Sequence, residues 1–125
     1  MTTTKNLLNK KILIIEDHKD MRELIQKEFA LTGSILFEAD GGIEALKILK
    51  ENEMDLVISD LVMIHGDGLW LMTKMKNEIN YKPKIFLCSA YGNHLTDKMK
   101  ELGILHIFDK PLKKNDMVPT ILSYL

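Results

Sequence analysis

Asp55-Leu56-Val57-Ile58-Ser59-Asp60 is the stretch whose reading decides the fold. Its aliphatic run, Leu56, Val57 and Ile58, has the pattern of a short strand buried on both faces of a parallel sheet, and the stretch ends on a carboxylate. Such a strand delivers Asp60 to the C-terminal edge of the sheet. In open α/β sheets that edge is where ligands bind, because loops and helix N-termini converge there and leave a crevice.

Working outward, the pattern recurs. Residues 11–17 read K-I-L-I-I-E-D, four aliphatics ending on two acids. Residues 84–88, just after Pro83, and residues 104–108 are further apolar runs, and residues 34–39 alternate weakly as a strand. The intervening segments switch to helical spacing. Met21, Leu24, Ile25 and Phe29 predict a helix over residues 20–31, with Gly33 as its stop signal. Asp40-Gly41-Gly42 turns the chain into a helix with Ala45, Leu46 and Leu49 on one face, ending near Asn52. Leu69, Met72, Met75 and Ile79 predict a third helix over residues 69–78, and Leu95, Met99 and Leu102 a short fourth closed by Gly103. The last begins near residue 116 with Met117, Val118, Ile121, Leu122 and Leu125, and Pro119 falls in its first turn, where a missing N–H is tolerated.

Five strands alternating with five helices at roughly 20–25 residues per unit call for an α/β fold, a parallel sheet covered on both faces. Right-handed crossovers leave few topologies for it. Residues 1–10 are read as a flexible N-terminal arm and residues 11–125 as one domain.

Composition sets limits on function. A chain of 125 residues buries roughly two-thirds of its unfolded surface, enough for a core without staples. Seventeen basic against eighteen acidic residues give a net charge of −1, so no global field attracts nucleic acid or an anionic membrane. The single cysteine, Cys88, follows Ile85, Phe86 and Leu87 and reads as a buried thiol in a reducing cytoplasm. The chain carries no signal-peptide pattern and no apolar run of about 18 residues.

The predicted strand ends carry the chemistry. Glu16 and Asp17 follow the first strand, Asp60 ends the third, Ser89 follows the fourth, and Lys110 lies just beyond the fifth. Gathered in one crevice, three carboxylates repel one another strongly unless a divalent cation neutralises them. Oxygen donors around a small hard ion indicate Mg2+, which keeps several waters and accepts oxygen from a phosphoryl group. The implied reaction is phosphoryl transfer to Asp60 as nucleophile, with the metal, Lys110 and Ser89 meeting the phosphoryl oxygens.

The sequence resembles the receiver domains of bacterial two-component response regulators. The resemblance runs from about residue 11 to the end and rests on I-L-I-I-E-D (12–17), E-A-D-G-G-I-E-A-L (38–46), D-L-V-I-S-D-L-V-M (55–63), D-G-L-W-L-M (67–72), L-C-S-A-Y-G (87–92) and I-F-D-K-P-L (107–112). It implies a doubly wound, flavodoxin-like (βα)5 sheet in strand order 2-1-3-4-5. Asp60 is implied as the phosphoacceptor, and Glu16 and Asp17 as the acidic pair at a Mg2+ site completed by Asp60 and the Val62 backbone carbonyl. Ser89 is implied as the switch hydroxyl, Lys110 as the phosphate-contacting lysine, and Lys110–Pro111 as a cis peptide bond. The implied partners are a histidine kinase or histidine phosphotransfer protein and a downstream protein target. No direct binding of nucleic acid or membrane is expected, and the chain is expected to be a monomer or a phosphorylation-dependent dimer. Such a receiver catalyses only its own phosphorylation and dephosphorylation.

Two positions depart from the family pattern. Ile64 replaces a common proline, and Ile107 stands where the family's switch position is commonly aromatic. A β-branched side chain with few rotamers cannot turn as a planar ring does. Phe108 cannot substitute, because adjacent strand residues face opposite sides. Activation is therefore expected to remodel mainly the loops 61–68 and 89–93.

Other features have plainer readings. His18, His65, His94 and His106 lack metal-ligand spacing, so a zinc role is set aside. The eight methionines read as core filler, and Trp70, beside the apolar stripe of the third helix, as packed against the adjacent helix or, second, as partly exposed. A phosphorylation-independent interaction domain of the same fold is the alternative, against which the set Glu16, Asp17, Asp60, Ser89 and Lys110 stands. A Mg2+-dependent nuclease or phosphatase would need a D-x-D pair, which Asp60-Leu61-Val62 lacks.

Overall fold

The computed structural model describes residues 6–63, 67–90 and 95–125. The readings placed on Ile64, His65, Gly66, Tyr91, Gly92, Asn93 and His94 lie outside those residues. The apolar runs form β1 (Lys11–Ile15), β2 (Ile35–Ala39), β3 (Leu56–Asp60), β4 (Lys84–Ser89) and β5 (Ile104–Asp109). They alternate with α1 (Lys19–Glu28), α2 (Gly42–Glu51), α3 (Gly68–Glu78), α4 (Asp97–Glu101) and α5 (Met117–Leu122). All strand pairs are parallel, in the order β2-β1-β3-β4-β5. This is the doubly wound sheet the pattern called for.

The continuous aliphatic runs follow from the two-sided cover. Leu13, Ile15 and Val57 face a core built with Ala45, Leu49, Leu71, Met72 and Met75 of α2 and α3. Ile12, Ile14 and Ile58 point the other way, into a core with Ile25 and Phe29 from the α1 side and Met117 and Ile121 of α5. Successive residues alternate between the faces, so both sets must be apolar.

Several expectations need correction. The N-terminal arm is not free over its described part. Leu7 is buried with Ile12 and Phe29, and the Asn9 N–H donates to the Gly33 carbonyl at 2.9 Å. Gly33, at φ +73°, makes room for this docking, since a Cβ there would stand 2.7 Å from Leu8 Cδ1. Helix α1 stops at Glu28 rather than residue 31, because Leu31 is wholly exposed and burial gives the helix no reason to continue. On α3 the deepest side chain is Leu71, while Leu69 and Ile79 lie at the margin. Trp70 is 37% exposed, the second of its two readings, with the Lys74 ammonium 5.8 Å from its ring centroid in an i,i+4 cation–π contact.

Two contacts brace this frame. The Tyr81 hydroxyl accepts from the Met54 N–H at 3.2 Å and shares its proton between the carbonyls of Leu49 (2.7 Å) and Asn52 (2.6 Å), tying the end of α2 to the entry of β3. Removing it in Tyr81→Phe leaves the backbone of buried Met54 without this partner. The expected loss is about 1–3 kcal/mol by urea denaturation, and a change under 0.5 kcal/mol would refute the assignment.

Gly68 is the second. It opens α3 against the end of β3, where an added Cβ would meet the Asp60 carbonyl oxygen at 2.8 Å and Leu61 Cα at 3.3 Å. Backbone there cannot swing aside as a side chain would. Gly68→Ala is expected to cost about 2 kcal/mol and to shift amide resonances around Asp60. Unchanged resonances would show that the close approach is not needed.

Candidate functional site

Strands β3 and β4 end on residues of one crevice, Asp60 and Ser89, and the segments just after β1 and β5 bring Asp17 and Lys110 to it. Backbone hydrogen bonds fix the edge: Glu16 N–H to Ala39 O (3.1 Å), Leu61 N–H to Cys88 O (2.9 Å) and Lys110 N–H to Ser89 O (2.8 Å). The cleft holds about 370 Å³ and is lined by Asp17, His18, Asp60, Val62, Ser89 and Lys110 among others. A groove of similar size between α3 and the α4–β5 turn, lined by Met72, Ile79, Tyr81 and Leu102, lies away from these charges.

Lys110 links two strands electrostatically. Its Nζ is 3.1 Å from Glu16 Oε2 and 3.1 Å from Asp60 Oδ2. Burial opposes its charge, but the hydrogen bond and charge of Asp60, then those of Glu16, more than offset this and hold its pKa above the ordinary lysine value. Glu16 is completely buried. Its pKa is raised, first by that burial and then by the charge of Asp60, with Lys110 partly opposing both. Cys88 lies deeper, on the opposite face of β4, and burial pushes its thiol up to about 12, so it is no nucleophile here. The Lys110–Pro111 peptide bond is cis.

The residues fit a divalent cation. Glu16, Asp17 and Asp60 set three carboxylates against the one ammonium of Lys110. Asp17 Oδ1 is buried without a hydrogen-bond partner, a costly state that a bound cation would relieve. Donor atoms of Glu16, Asp17 and His18 lie within 4.8 Å of one another.

Ser89 and Ile107 share a sheet face. Ile107 pairs with Leu87, packs at the margin of the α2–α3 core, and sits across from the strand that carries Ser89. Phe108 pairs with Cys88 and points into the opposite core, away from Ser89.

Two neighbours escaped the sequence reasoning. The Arg22 guanidinium donates to the Glu16 carbonyl at 2.8 Å. A bond to a backbone carbonyl leaves no residue-type signature, so no pattern could have revealed it. His18, set aside for lack of zinc spacing, stands against the acidic pair.

Comparison with known proteins agrees with this geometry. The family model "Response regulator receiver domain" matches residues 12–122. The chain is 32% identical over 120 residues to sporulation initiation phosphotransferase F of Bacillus subtilis, covering 95% of this chain and 96% of that protein. It is 30% identical over 119 residues to chemotaxis protein CheY of Halobacterium salinarum, covering 93% and 97%. In three dimensions it is similar to the response regulator protein TrrA of Thermotoga maritima, in a crystal structure with Mg2+-BeF. There the TM-score is 0.79 at 27% identity, with 93% of this chain and 99% of that one covered. Strand order, strand-end residues and a match over nearly the whole length lead to one conclusion: the chain belongs to the response regulator receiver domain family.

Proposed function

We propose that this receiver takes a phosphoryl group onto Asp60 in a Mg2+-dependent reaction and signals through the resulting change in shape. The observation that carries the reading is the Lys110 ammonium held 3.1 Å from both Glu16 and Asp60 at the C-terminal edge of the sheet. The neighbour bound to Mg2+-BeF supports it by likeness. The donor is a histidine kinase or histidine phosphotransfer protein, and the recipient of the signal a downstream protein, in the cytoplasm.

An Asp60 carboxylate oxygen attacks phosphorus, the bond from phosphorus to the donor's imidazole nitrogen breaks, and its electron pair returns to that nitrogen. An acyl phosphate results. Asp17, Asp60 and the Val62 carbonyl would hold Mg2+, with Glu16 acting through water, and the ion would neutralise charge that otherwise repels the phosphoryl group. Lys110 exchanges part of its contact with Asp60 for a phosphoryl oxygen, and the Ser89 hydroxyl donates to another. In hydrolysis water attacks phosphorus and the Asp60 carboxylate departs with its electrons, releasing phosphate.

Ser89 moving towards the phosphoryl group would disturb its own loop and the loop after Asp60 first. Ile107, β-branched and at the margin of the core, transmits less. Intact-mass analysis after acetyl phosphate, with and without Mg2+, tests the proposal. One phosphoryl adduct that requires Mg2+ supports it, and no adduct under either condition refutes it.

A further inference from the structure

We propose that His18 is an added ligand of the metal site, giving it a nitrogen donor and a preference for first-row divalent transition ions over Mg2+. The inference rests on the metal site proposed above. His18 Nδ1 lies 3.1 Å from Asp17 Oδ1 and 3.2 Å from Glu16 Oε1. Two adjacent ligands on an octahedral ion with bonds of about 2.1 Å stand about 3.0 Å apart, so the separation from Asp17 matches two donors sharing one cation, with Glu16 beside them through water.

The second oxygen of Glu16 is engaged by Lys110, which leaves Oε1 on the His18 side. Asp17 Oδ1, though close to His18 Nδ1, is buried with no hydrogen-bond partner. Its lone pairs remain available to a cation. The imidazole is 78% exposed, so an ion can reach it from solvent with little rearrangement. Imidazole adds little for Mg2+, which favours oxygen, and much for later first-row ions.

His18 also occupies the N-cap of α1 without a side-chain capping bond, so replacing it takes no cap from the helix. His18→Gln therefore keeps the fold while removing the nitrogen donor.

The experiment has two readouts on the full chain. Pulsed EPR of protein with Mn2+ alone is expected to show histidine nitrogen coupling, which changes on 15N-histidine labelling and disappears in His18→Gln. Calorimetric titrations with Ni2+ and Mg2+ are expected to show the ratio of the two affinities falling by about tenfold in that variant. Mn2+ bound without nitrogen coupling in the wild type, or a ratio unchanged by His18→Gln, overturns the role of His18 and leaves the metal site standing. Failure of the wild type to bind Mg2+, Mn2+ or Ni2+ at all overturns the site and His18 together.

Discussion

Asp60→Asn is expected to abolish phosphorylation. The amide keeps the shape of the side chain but has no anionic oxygen to attack phosphorus and cannot yield the acyl phosphate. Mass analysis after acetyl phosphate in Mg2+ should show one phosphoryl group on the wild type and none on the variant. Labelling equal to wild type in Asp60→Asn, or full labelling of wild type in excess chelator, would refute the assignment. A second effect follows from the electrostatics. Glu16 is held above its ordinary pKa by burial first and by Asp60 next, so ionising both at neutral pH strains the site. Removing the Asp60 charge should raise the melting temperature in metal-free buffer by a few degrees, worth about 1 kcal/mol. Added Mg2+ should narrow that gap by stabilising the wild type more.

Lys110→Met should be the most damaging substitution for stability among the site residues. Methionine fills a similar volume, so the loss reports the charge. Glu16 is fully buried and Lys110 is its direct cationic partner, at 3.1 Å, with the lysine side chain only 15% exposed. Stripping a buried carboxylate of its partner costs about 3–5 kcal/mol. The pH dependence follows from linkage. The folded-state pKa of Glu16 lies above the reference of 4.5 and would rise further without Lys110, which lowers it. A protonated Glu16 needs no counter-charge, so the penalty is full well above the raised folded pKa and shrinks as pH falls through it. Lys110 itself, with a pKa above 10.5, stays charged throughout that window. Urea denaturation of both proteins at neutral and mildly acidic pH measures the effect. A loss under 1 kcal/mol at neutral pH, or one that does not shrink on acidification, would show that Glu16 is satisfied in another way.

Much of the architecture was legible because burial on two faces leaves a strong mark. Residues 12–15 and 56–58 contain no polar side chain, and only a strand covered on both sides requires that. The helix faces were legible to within a turn, and the errors have local causes. The docking of the arm was not legible because one buried leucine, Leu7, next to an exposed one, Leu8, carries no periodicity. For Trp70 the pattern offered packing first and partial exposure second, because a large aromatic beside an apolar stripe reads as core; its position on α3 leaves it partly exposed, with the Lys74 ammonium near its ring.

By itself the sequence determined which residues end the strands, and with them the chemical types at the sheet edge: Glu16, Asp17, Asp60, Ser89 and Lys110. Strand periodicity and strand ends are local properties, so they survive in a one-dimensional pattern. Tertiary structure alone decided the pairings among those groups. Lys110 meets Glu16, 94 positions earlier in the chain, only because β5 and β1 end at the same edge of the sheet. The same holds for the orphaned Asp17 oxygen, the elevated Glu16 and Lys110 pKa values, and the approach of His18 to the acidic pair. Distance and burial set these properties, and both arise when the sheet assembles.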